Sequence, residues 1–238
     1  MADGTAGGTA QVAPLPIDRS NLTLADRVET LLRDAVVQGE HPPGARLSEA
    51  DIARSYGVSR GPVREALRRL EHHGLVTVEP HRGAFVRTLD LEEVRELFEV
   101  RIALEAEAAE LAATRIDAAG VAELRGLART AGQEVARSGR SGIFDTHDLH
   151  DLVVRQAGNQ RLARAVAQVN AELRLARSRS GATGSRAVEA VGEHDRLVDA
   201  LASGDARGAR EAMREHLGAA LRNTLALLHP TLADGKAG

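Results

Sequence analysis

Residues 47–88, LSEADIARSYGVSRGPVREALRRLEHHGLVTVEPHRGAFVRT, constrain the fold more than any other stretch of the chain. Ser48, with Asp51 three residues on, opens a short helix through Ser55 that buries Ile52 and Ala53. Gly57 supplies a turn. Ser59 stands at the cap of a second helix, and Pro62 falls in its first turn, where a missing N–H costs little. Val63, Ala66, Leu67 and Leu70 recur along that helix as one apolar stripe, and Gly74 ends it. LVTVEP and GAFVRT then alternate in period two around His81, Arg82 and Gly83, the pattern of a two-stranded hairpin. Upstream, Leu24, Val28, Leu31, Leu32 and Ala35 mark an amphipathic helix over 23–38 that HPPG at 41–44 stops. The expected unit is a winged helix-turn-helix: three helices plus a two-stranded wing.

Charge gives this unit its chemistry. The whole chain carries a formal net charge of −3, yet from Ile52 to Thr88 seven arginines face three glutamates. A recognition helix needs donors near its N-terminus on the face away from the core, where base edges and phosphates are reached. Ser59, Arg60 and Arg64 meet that need. Arg60 and Arg64, at i and i+4, share a face while Val63, Ala66 and Leu67 turn inward, and an arginine fork there matches guanine O6 and N7. Arg68 continues the basic face. At the wing tip His81 and Arg82 are placed for phosphate or minor groove, and Gly83 lets the backbone come close. Any one of these arginines could simply solvate a helix. Their joint placement on helix, turn, helix and hairpin points to double-stranded DNA.

Beyond Leu89 the character changes. Breakers near Gly120, Gly139, Gly158, Gly181 and Gly204 separate six helical segments, about 90–114, 117–137, 142–157, 160–179, 185–203 and 205–228, with no strand signal. With aromatics at 2% the core must come from Leu, Val, Ala and Ile, as in helix bundles. The expected fold is mainly α, the winged unit followed by an all-α six-helix bundle. Residues 1–20 mix Gly, Ala, Thr and Pro without periodicity and read as a disordered arm. The expected domains are 21–89 for DNA and 90–229 for effector binding and dimerisation, with 230–238 a flexible tail. The absence of cysteine excludes disulfides, thiolate zinc sites and a cysteine nucleophile. No apolar run reaches the roughly 20 residues of a membrane span, and the first residues lack the make-up of a leader, so a cytoplasmic protein away from the membrane is expected.

The run VSRGPVREALRRLEHHGLVTVEPHRGAFV resembles the winged-helix signature of the GntR family of regulators. The resemblance implies that Ser59, Arg60, Arg64, His81 and Gly83 contact operator DNA. Gly61 stands where a side chain, often Thr, is common, and Ala50 where some members carry a DNA-contacting arginine. The helical half resembles the FadR-like subfamily and its FCD-type effector domain through LFEVRIALEAEAAELAA, HDLVVRQAGNQRL and EHDRLVDALASGDARGAREAMREHL. Such domains often hold a divalent metal by one Asp and three His. The matching histidines are His150, His194 and His216, on three separate helices with apolar flanks, a suitable imidazole set for zinc, nickel or manganese. The usual Asp lies four residues before the first His, where this chain has Thr146; Asp145 or His147 could serve with a helix shift. The resemblance also implies a small organic-acid effector met by a cation, for which Arg101, Arg174 and Arg177 are the candidates, Arg101 foremost. His72 and His73 read as surface histidines, and His229 as a helix-terminal one.

These features together describe a homodimeric regulator, usually a repressor in this family, whose winged helices grip half-sites and whose bundle senses a carboxylate. Two other readings compete. A catalytic metal in the bundle predicts turnover, but no general base accompanies the histidines. An architectural DNA-binding dimer predicts no ligand response.

Overall fold

In a computed structural model of the chain the described residues are 22–138, 145–177 and 185–228; within these, the side chains of 138, 145–148, 177 and 185 are outside the description. The arm 1–20 and the tail 230–238 also lie outside it, as does His229. The chain divides into two compact units, Met1–Thr88 and Leu89–Gly238.

The first unit contains α1 (Leu24–Val37), β1 (Arg46–Leu47), α2 (Glu49–Tyr56), α3 (Arg60–His72), β2 (Val76–Glu79) and β3 (Gly83–Val86). Thr23 and Asp26 form a reciprocal capping box at the start of α1. Ser48 caps α2 by accepting from the Asp51 N–H, and Gly57, at φ 66°, closes it in the left-handed conformation that favours glycine. Helix α3 packs against both α1 and α2. Its stripe of Val63, Ala66, Leu67 and Leu70 is buried, as are Val28 and Leu32 of α1. Arg69 ties the same two helices on the outside, donating to Asp26 at 2.5 Å and to Glu65 at 3.1 Å.

The expected two-stranded wing forms as β2 and β3, and a short third strand joins its sheet. The sheet has three, in the order β1-β3-β2, all antiparallel. The added strand is only Arg46 and Leu47, paired with Phe85 and Ala84. A two-residue strand is too short for period-two alternation to reveal, and its pairing with β3 is a contact across 37 positions that local pattern does not carry.

The second unit, α4 (Leu91–Ala113), α5 (Ala118–Ser138), α6 (Asp145–Gln156), α7 (Gln160–Arg177), α8 (Ser185–Ser203) and α9 (Ala206–Leu228), is the expected helix bundle. Asp90 and Glu93 form a capping box that starts α4. That helix contacts α6, α7, α8 and α9, so it is covered on several sides at once. Its composition permits this: Ala106, Ala108, Ala109, Ala112 and Ala113 are all buried and let neighbouring helices approach. Phe98, the largest fully buried side chain among the described residues, fills the space toward Leu173 and Ala176 of α7. Inside this apolar frame α4 also buries two ions, Arg101 and Glu105. An interior ion pair has to be satisfied by its surroundings, and these two position the site described next.

Candidate nucleic-acid interface and candidate metal centre

Helix α3 begins at Ser59, whose backbone is at the cap but whose side chain makes no capping hydrogen bond. This departs from the expected role and has a local cause. A cap oxygen accepts from the second or third helical N–H, and the third helical residue here is Pro62, which has none. The exposed hydroxyl therefore stays available. Gly61 is exposed and a Cβ there would meet nothing within 4 Å, so packing does not demand glycine; its absence of side chain leaves the helix N-terminus open to close approach. Arg60, Arg64 and Arg68 lie exposed along the face opposite the buried stripe. Arg64 is held by Glu49 of α2, through Nε at 3.0 Å and Nη2 at 2.9 Å to the two carboxylate oxygens. This hydrogen bonding, together with the charges of Arg64, Arg60 and Arg68, lowers the Glu49 carboxyl below its usual range against a smaller effect of burial.

The wing tip carries the three expected residues, all exposed. His81 adopts φ 62° and Gly83 φ 108°. The first is unusual for a side chain with a Cβ, and the pair turns the hairpin sharply. Arg82 is engaged by Glu79 and lies 5.7 Å from the Phe85 ring centroid. It is thus a braced cation rather than a free one.

In the bundle, α6, α8 and α9 bring His150, His194 and His216 together. All three are buried, each offering a ring nitrogen within 4.8 Å of the others. Ring centroids are 5.7, 5.0 and 4.5 Å apart. None of the three is a surface histidine. Two carboxylates that the sequence reading did not single out orient the rings. Glu105 of α4 accepts from His150 Nδ1 at 2.6 Å, and Glu193 of α8 accepts from His216 Nδ1 at 2.7 Å. A carboxylate only accepts, so both Nδ1 atoms carry a proton, and the two Nε2 atoms face each other 3.1 Å apart. Behind them stand two guanidinium groups. Arg101 donates from Nε to Glu105 at 2.6 Å, and Arg186 holds Glu193 at 2.9 and 2.7 Å.

Burial opposes charge throughout this centre. It pushes His216 down to about 4, although Glu193 pulls the other way. Burial, then the neighbouring imidazoles and Arg186, push His194 well below the usual range. Burial would raise the Glu105 carboxyl, but the charges of Arg101 and His150 outweigh it and hold the group far below its ordinary value. His194 and His216 are therefore held neutral, the form that binds metal.

A cation fits these donors. His194 Nε2 is buried without a hydrogen-bond partner among the described residues, and the 3.1 Å between the other two Nε2 atoms is near the ~3.3 Å that separates neighbouring nitrogens on one tetrahedral zinc. Imidazoles backed by carboxylates are the usual outer arrangement of such ligands. Of the expected effector cations, Arg101 lies in this centre. Arg174, on α7, is half-buried and exerts its charge on Asp151. The side chains of Asp145, Thr146, His147 and Arg177 lie outside the described residues.

A winged helix-turn-helix with an arginine-bearing recognition helix, followed by a helical bundle that buries a histidine cluster, defines a DNA-binding transcription regulator. The chain belongs to the GntR family of bacterial regulatory proteins: residues 24–86 match the model of that family and residues 96–219 match the FCD domain. It is 30% identical over 211 residues to the HTH-type transcriptional regulator YdhC of Bacillus subtilis (strain 168), covering 86% of this chain and 91% of that protein. It is 35% identical over 206 residues to a probable D-xylose utilization operon transcriptional repressor of Paenarthrobacter nicotinovorans, covering 85% and 89%. Among solved structures, a GntR regulator from Rhodococcus sp. RHA1 superposes with a TM-score of 0.70 at 30% identity, covering 85% of this chain and 97% of that one. E. coli McbR/YncC shares the fold, with a TM-score of 0.72 at 23% identity over 85% of this chain and 97% of its own. The relatives' names are those of transcription regulators. No helix among the described residues is long and apolar enough to cross a membrane.

Proposed function

We propose that the protein is a metabolite-responsive repressor that binds operator DNA as a homodimer and senses a small organic acid at a divalent metal held by His150, His194 and His216. The observation that carries the reading is the buried histidine trio with its two carboxylate braces, a costly arrangement in a core that has no structural need of it.

On the DNA side, Ser59, Arg60, Gly61 and Arg64 are the major-groove and phosphate contacts, and His81, Arg82 and Gly83 the wing contacts. Arg64 keeps its outer guanidinium edge for a guanine while Glu49 occupies the inner one. On the sensor side, a bound zinc, nickel or manganese ion would supply a positive centre for a carboxylate. The fourth ligand comes from Asp145, Thr146 or His147, or from the effector. Arg101, within the centre, is joined to His150 through Glu105, as Arg186 is joined to His216 through Glu193. Arg174 and Arg177 are reserve candidates on α7.

Effector binding shifts the disposition of the two DNA-binding heads, and linkage requires the effect to be reciprocal. The test is fluorescence anisotropy on labelled promoter DNA upstream of the chain's own gene, with a panel of small carboxylic acids. An acid that weakens DNA binding, and that binds the DNA-loaded protein more weakly by the same factor, supports the reading. An architectural dimer would bind the DNA and ignore every acid.

A further inference from the structure

The arginines of the wing sheet differ in what holds them. Arg82 at the tip is engaged by Glu79, and Arg87, just past β3, donates to the Gly74 carbonyl at 3.4 Å. Arg46 of β1 is exposed, and its guanidinium takes part in no hydrogen bond or ion pair among the described residues. Strand register fixes where it stands. Arg46 lies opposite Phe85, and Phe85 opposite Thr77, so the three side chains share one face of the sheet. The alternate positions Leu47, Ala84 and Val86 are buried, which makes this the outer face.

A Cβ built on Gly83 would stand 3.6 Å from Arg46 Nε and 3.7 Å from its Nη2, so the guanidinium lies against the wing-tip glycine. Its charge also reaches Asp51 in the first turn of α2. Hydrogen bonds with Ser48 and Arg54 do most to hold that carboxyl below its ordinary range, and the charges of Arg54 and then Arg46 add to them. Glu49, in the same turn, clasps Arg64 of the recognition helix. Arg46 therefore joins the wing tip to the turn that holds the recognition helix. Neighbouring major and minor grooves of a duplex are separated by one sugar-phosphate strand, so a protein that lays a helix in one groove and a hairpin tip at the other meets that strand between them. A guanidinium without a carboxylate of its own carries its donors into this gap, in the planar fork that matches phosphate oxygens. Arg82 has to give up Glu79 to do the same; Arg46 gives up only water.

We infer that Arg46 contacts DNA directly, its guanidinium on a backbone phosphate of the strand that passes between the wing and the recognition helix. The inference rests on DNA binding by this unit and adds a contact that carries no base preference.

The test is fluorescence anisotropy of the full-length protein on two labelled duplexes, the promoter DNA upstream of the chain's own gene and a shuffled duplex of the same composition, from about 50 to about 200 mM salt. Arg46→Gln is expected to weaken binding to both duplexes by the same factor, about threefold or more, and to lower the slope of log affinity against log salt by about 0.9 per protomer. Arg46→Lys, which keeps the charge, restores most of that slope. The side chain is exposed and fills no core space, so both variants keep the fold, which circular dichroism checks. An unchanged slope in Arg46→Gln overturns the proposal, as does a lysine variant that loses the slope as fully as glutamine. A loss confined to the promoter duplex also overturns it, because it places the arginine on a base. A parent protein that binds neither duplex at the lowest salt overturns DNA binding itself, and this contact falls with it.

Discussion

Arg64 of the recognition helix is clasped by both carboxylate oxygens of Glu49 from the preceding helix, at 3.0 and 2.9 Å, with the arginine side chain still 58% exposed. Nε and one hydrogen of Nη2 are occupied by this clasp, and the far edge of the guanidinium points outward in a fixed plane. A long side chain that would otherwise sample many rotamers is thus set before DNA arrives, which lowers the cost of ordering it on binding. Arg64→Ala is expected to lose about 1–3 kcal/mol of discrimination at one base position and to leave the fold intact, since the side chain fills no core space. Circular dichroism and a set of single-base operator variants check both halves.

Glu49→Gln separates positioning from charge. It keeps the side chain's shape, weakens the clasp and removes a negative charge from the DNA-facing surface. Binding to non-specific DNA is expected to hold or rise, while discrimination at the Arg64 position falls. Titration against operator and scrambled duplex at one salt concentration reads the two effects separately. Equal changes on both duplexes would assign Glu49 a general electrostatic role instead.

His194→Ala is expected to spare DNA binding and to abolish the response to ligand. The ring it removes sits 4.5 Å from His216 and 5.7 Å from His150, centroid to centroid, so the cage loses one of its three imidazoles. The winged unit contributes no residue to that cage. A variant that still responds fully to the effector would show that sensing does not pass through the histidines.

Glu105 anchors Arg101 and His150 at once, and its charge is what keeps the buried guanidinium compensated. Glu105→Gln leaves that cation without a partner, a change that costs about 3–5 kcal/mol for buried pairs. For a chain of this size that is a fall in Tm of about 6 °C or more, measurable by scanning calorimetry. A variant as stable as the parent would mean that the pair is worth little in this core.

Much of this was legible beforehand, and what was missed has physical reasons. The helix, turn, helix and hairpin followed from Gly57, Pro62, Gly74 and the period-two runs because each is a local rule. The bundle helices followed from periodicity and glycine breakers in the same way. Glu105 and Glu193 were passed over because an acidic residue among alanines, or one beside a histidine, looks like any solvated helix charge; only the packing of α4 and α8 turns them inward. Glu105 did carry one signal, its place four residues after Arg101 on the same face. Glu49 is 15 residues from Arg64, and nothing local joins them. The role of Ser59 was half legible: its position was right, but its capping bond was not, although Pro62 was in plain view.

Acid should loosen the metal-free protein, and the sign follows from the groups themselves. His194 and His216 are buried neutral, with His216 near 4 against the usual 6.5, so as pH falls below 6.5 the unfolded chain takes up protons first and stability is lost. Below 4.5 the depressed Glu105 and Glu193 add to the loss in the same direction, because their unfolded forms also protonate first. Thermal melts of the chelator-treated protein from about pH 7.5 down to about pH 5 should fall steadily, and His194→Asn should flatten the slope. A flat profile over that range would mean that the histidines are not held neutral by burial.

The central claim, that the three buried histidines form a metal site, is tested most directly by elemental mass spectrometry of the purified full-length protein and of His194→Ala. The account predicts about one divalent ion per chain in the parent and a large loss in the variant, in keeping with a cage that has three protein imidazoles. A parent protein that carries no metal, and takes up none from stoichiometric zinc, nickel or manganese, would contradict it.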